Sequence, residues 1–133
     1  LFPNLLIFSS ISFSHKNAIV NQREVGIDVA SYDEGLKLAI REDADVIQVG
    51  RMSEPDTVKA VIKAAKAGSF VIAAVDVAGT KDIIQSIIDE FPPSEKEKIN
   101  TQLKEVLKMV VSQKLIQQDK DGIKASFEIL KIN

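Results

Sequence analysis

Along the 133-residue chain, apolar positions recur with two distinct periods, and the alternation between them predicts the order of elements. Residues 5–8 (LLIF) form a short apolar run that reads as a central strand, and residues 18–25 (AIVNQREV) read as a second extended piece. Ser31 followed by Glu34 is a capping-box pattern; Leu36, Ala39 and Ile40 then share one face of a helix expected to run to about Glu42. ADVIQVG, residues 44–50, has the apolar, β-branched profile of a parallel strand covered on both faces. Pro55 suits a first helical turn, Val58, Val61, Ile62 and Ala65 follow at helical spacing, and Gly68 stops the run.

The second half repeats the alternation. SFVIAAVDV, residues 69–77, predicts another buried strand, after which Thr80 caps a helix with Ile83, Ile84, Ile87, Ile88 and Phe91 on one face. Pro92 and Pro93 end it. Ser94 and Glu97 form a second capping box ahead of a long amphipathic helix traced by Ile99, Leu103, Val106, Leu107, Val110 and Val111. SQKLIQQ, a DKDG turn and IKASFEILKI then predict a β-hairpin. Strands alternating with helices imply an α/β fold with a mainly parallel sheet, read here as a single domain over residues 1–133.

Composition narrows the classes. At 45% hydrophobic and 27% charged, the chain is that of a globular domain burying roughly two-thirds of its unfolded surface. A net charge of −2, from 17 basic and 19 acidic residues, gives no electrostatic footprint for nucleic acid. The absence of cysteine removes disulfides and thiolate metal sites, and one histidine argues against a His-rich zinc site. The opening LFPNLLIF is too short and too interrupted to span a bilayer and lacks the basic flank of a signal peptide. It reads as the interior of a longer chain or a gene start with an odd junction, and the expected location is cytoplasmic.

In open parallel sheets, ligands bind beyond the carboxyl ends of the strands, which singles out the positions after Phe8, after Gly50 and after Val75. The carboxylates of REDAD (Glu42, Asp43, Asp45) precede a strand, at the opposite edge, and read as a solvated loop. Lys59, Lys63 and Lys66 read as the solvated stripe of their helix.

Several stretches in order, NAIVNQREVG, LKLAIREDADVIQVGRM, TVKAVIKAAKAGSFVI, DIIQSIIDEFPPSEKEKINTQLKEVLKMVVSQKLI and the closing FEIL, resemble the second half of the RecA-like motor domain of the type II/type IV secretion ATPases. Within that superfamily the likeness is to the pilus-retraction, twitching-motility group, and it covers residues 7–130. The resemblance implies a partial P-loop NTPase core, ATP and Mg2+ as the family's cofactors, and hexameric rings that drive pilus movement or secretion. The partners it implies are further copies of the chain, intact ATPase subunits, and the pilus or secretion machinery, with a peripheral place at the inner membrane.

No G-x-x-x-x-G-K-[ST] occurs; GTK at Gly79 to Lys81 has the wrong order. The family's other motifs are present by position and altered in content. The acidic box aligns with IFSSISF, where Phe8, Ser9, Ser10 and Ser12 stand at the polar positions. The Walker B glycine is kept as Gly50, but Arg51 replaces the glutamate that follows it, and Ala44, Ser53 and Glu54 depart from the pattern too. The histidine box aligns with Asp76, Val77, Ala78 and Gly79.

Arg51 has two open readings. A guanidinium has donors and no acceptor, so it cannot ligate Mg2+, though it can pair with phosphate oxygens; it can equally be a solvated arginine beside Glu54. Arg23 matches a family arginine that reaches nucleotide in the ring, or is a strand arginine paired with Glu24 or another acid. His15 matches a family histidine, or is an ordinary exposed loop residue. By resemblance the chain is part of a motor ATPase that does not hydrolyse ATP alone; the alternative is a non-catalytic module that docks on intact ATPase subunits.

Overall fold

The computed structural model describes residues 4–8, 14–118 and 122–132. It confirms an α/β chain in the order β1 (Asn4–Phe8), β2 (Ile19–Arg23), α1 (Tyr32–Arg41), β3 (Val46–Val49), α2 (Pro55–Lys66), β4 (Phe70–Ala73), α3 (Thr80–Asp89), α4 (Pro93–Val106), β5 (Met109–Gln118) and β6 (Gly122–Lys131). The chain forms two compact units, Leu1–Val75 and Asp76–Asn133.

In the first unit, four parallel strands lie in the order β2-β1-β3-β4. Leu6, Phe8, Ile47 and Val49 project from one face and form the core with Leu36 and Ala39 of α1 and Ala60 and Ala64 of α2. Helix α1 starts as its sequence dictates: the Glu34 amide donates to the Ser31 hydroxyl at 3.2 Å, and the Glu34 carboxylate accepts from the Ala30 amide at 3.0 Å. Helix α2 opens on Pro55 without a side-chain cap and carries Val58 and Ile62 buried.

Strand β4 departs from expectation. It is the edge of the sheet, and Phe70 and Ile72 are 59% and 51% exposed rather than buried. Their strand is apolar on both faces, but only the Val71 and Ala73 side packs on the core.

In the second unit, α3 and α4 accompany an antiparallel ribbon of β5 and β6. Three expectations are corrected. Thr80 does not cap α3; Gly79 holds the cap position, and the Thr80 side chain turns to another partner. The Ser94 to Glu97 capping box does not form, because α4 begins two residues earlier than a Ser94 cap implies, on Pro93, whose fixed φ suits a first turn. The long amphipathic helix ends at Val106, and Val110 and Val111 belong to β5. There the β-branched pair enters a period-two pattern in which Val110 and Ser112 are buried.

Candidate functional site

Three of the positions singled out by sequence, Phe8, Arg23 and Gly50, lie at or next to one edge of the first unit's sheet. Register pairs Phe8 with Arg23 across β1 and β2, and with Val49 across β1 and β3. Val49 pairs in turn with Ala73 of β4. Arg23, Phe8, Val49 and Ala73 therefore form the last row of the sheet, at its carboxyl ends, where parallel sheets present their ligands.

The turn after this row is built on contact with its neighbours. The Gly50 amide donates to the Phe8 carbonyl at 3.1 Å, and a β-carbon on Gly50 would lie 2.8 Å from the same oxygen. Only glycine fits that approach. On the other side the Met52 amide donates to the Ala74 carbonyl at 2.8 Å, and the Ala74 amide to the Val49 carbonyl at 3.1 Å. Arg51 is thus carried, exposed, on a short turn fastened to strands on both sides.

Phe8 is a packing residue. It is 1% exposed, its ring stands edge-on to Tyr32 with centroids 6.0 Å apart, and a β-carbon on Gly35 of α1 would run into that ring. A side chain at the edge of the expected acidic box has become part of the core. Ser9, Ser10 and Ser12 lie outside the described residues.

Arg23 is paired, though not with Glu24. One guanidinium nitrogen, Nη2, donates to both carboxylate oxygens of Glu42, at 2.6 and 2.8 Å. The Glu42 carbonyl accepts from the side chain of Asn4, the first residue of β1, so the acid belongs to the amino end of the sheet. The pair ties the guanidinium to the loop between α1 and β3. Its other terminal nitrogen, Nη1, is buried without a hydrogen-bond partner among the described residues.

REDAD is accordingly more than a solvated loop: Glu42 holds Arg23, and the Asp45 carboxylate accepts from the Asn4 amide at 2.7 Å. Sequence reasoning missed Glu42 because no spacing rule links residues 19 positions apart. His15 is exposed, and its Nδ1 accepts from the Val20 amide at 3.3 Å, which fastens the loop to the start of β2.

In the second unit, Asp76 is exposed. Beyond it, the Gly79 amide donates to the buried Ser112 hydroxyl at 2.7 Å. The hydroxyl and amide of Thr80 both donate to the Glu128 carboxylate, at 2.7 and 3.3 Å, and α3 begins on this anion. The Thr80 hydroxyl first, then its amide, hold the Glu128 carboxyl below its ordinary range, with Lys114 and Lys81 adding a smaller effect.

Among the described residues, the side chains along this sheet edge offer magnesium no oxygen ligand. Phe8 and Gly50 offer no side-chain oxygen, Arg51 only donates, and Arg23 is committed to Glu42. Among the described residues no group of three histidines or carboxylates is placed to hold a metal ion. None of their helices is long and apolar enough to cross a membrane.

The family profile described as Type II/IV secretion system protein matches residues 11–128. A twitching motility protein of Neisseria gonorrhoeae is 39% identical over 132 residues, covering 97% of this chain and 35% of the relative. The type IV pilus retraction ATPase PilT of Pseudomonas aeruginosa is 37% identical over 128 residues, covering 95% and 37%. The crystal structure of the pilus retraction motor PilT with bound ADP superposes with a TM-score of 0.87 at 36% identity, over 98% of this chain and 38% of that one. The chain thus spans a little over a third of the length of the relatives it matches.

Proposed function

Because the chain belongs to the Type II/IV secretion system protein family, we propose that it is the C-terminal half of a hexameric pilus-retraction or secretion motor domain, and that alone it does not hydrolyse ATP. The family role is to couple ATP binding and hydrolysis to type IV pilus movement. Its partners are further copies, intact ATPase subunits and the pilus or secretion machinery, on the cytoplasmic side of the inner membrane.

The observation that carries the non-hydrolysing reading is the turn at Gly50. Its backbone keeps the close approach to Phe8, while the next side chain is a cation. Phosphoryl transfer in P-loop enzymes depends on a phosphate-cradling loop, a metal held by oxygen ligands and a group that orients the attacking water. Arg51 supplies none of these. Its chemistry suits pairing with an anionic phosphate oxygen, without a metal.

The test is equilibrium dialysis of the chain against labelled ATP, with and without Mg2+, together with phosphate release. The expected result is no release above the buffer rate and no strengthening of ATP retention by Mg2+. Turnover by the purified chain would overturn the reading.

The second reading, a non-catalytic module that docks on intact ATPase subunits, is favoured by the Arg23–Glu42 pair. An arginine offered to a neighbouring subunit's nucleotide would have to leave that partner. Co-purification with an intact family subunit, unaffected by Arg23→Gln, supports docking; failure to co-purify removes it.

A further inference from the structure

We draw no further inference here: the strongest candidate, the buried Nη1 of Arg23 at the carboxyl end of β2, without a hydrogen-bond partner among the described residues, belongs to the candidate site already described and carries nothing beyond it.

Discussion

Gly50 and Phe8 are in backbone contact: the Gly50 amide donates to the Phe8 carbonyl at 3.1 Å, and there is no room for a β-carbon between them. The atom a side chain would strike is a main-chain oxygen within a paired strand, which cannot swing aside. Gly50→Ala must therefore separate β1 from β3 at their carboxyl ends. The expected cost is about 1–3 kcal/mol, the range for overpacking at a constrained position, read from urea denaturation. A midpoint unchanged from the parent chain would mean that the turn relaxes freely and does not fix Arg51.

The Arg23–Glu42 pair makes a second prediction. Its side chains are 21% and 40% exposed, so water and salt reach the acid. Glu42→Gln is expected to cost up to about 1 kcal/mol at low salt and less at 1 M salt, where the Debye length falls to ~3 Å. Arg23→Met should be milder than Glu42→Gln, because it removes the charge together with the buried Nη1 donor. A larger loss in Arg23→Met would show that the guanidinium has a further partner.

How much of this was legible in the sequence depends on the range of the interaction that decides it. Helices α1 and α2 were readable because Ser31, Glu34, Pro55 and Gly68 act within one turn of themselves. The carboxyl-end row was readable once the strands were recognised as parallel. Strand β4 was misjudged because FVIA is apolar on both faces, and sequence cannot say that it is an edge. The helix that was extended through Val110 and Val111 shows two periods overlapping at one boundary, where strand pairing with Leu130 and Ile129 won. Phe8 and Gly50 were picked out by resemblance, but their mutual contact and the role of Gly35 are facts of packing. Glu42 and Glu128 were invisible as functional partners, since each meets its donor across tens of residues.

The Thr80–Glu128 contact predicts a pH dependence. Hydrogen bonds from Thr80 hold the Glu128 carboxyl below its ordinary range in the folded state. A carboxyl depressed by folding adds stability that is complete above its unfolded value and is lost as pH falls through its folded value. Thermal stability should thus decline from neutral pH into the acid range, and Thr80→Val should flatten that decline. Asp89, held low by hydrogen bonds from Lys96 and Gln85, serves as a reference that the substitution leaves alone. Melting curves at pH 7 and pH 3 decide it: equal acid slopes in parent and variant would show that Thr80 does not set the Glu128 titration.

Phe8 and Arg51, both singled out by resemblance, should differ in how well they tolerate substitution. Phe8 is 1% exposed and packs on Tyr32, Val29 and Gly35, so its side chain has been absorbed by the core. Phe8→Ala should cost about 3–5 kcal/mol, a large share of the ~5–15 kcal/mol available to a domain of this size. Phe8→Glu should prevent folding near neutral pH, because it adds an unpaired buried charge to the same cavity. Arg51 is exposed on its turn, and Arg51→Glu should change stability by no more than about 1 kcal/mol, the scale of an exposed ion pair. Denaturant midpoints of the three variants test the contrast. If Arg51→Glu proves as damaging as Phe8→Ala, the arginine is a structural member of the turn.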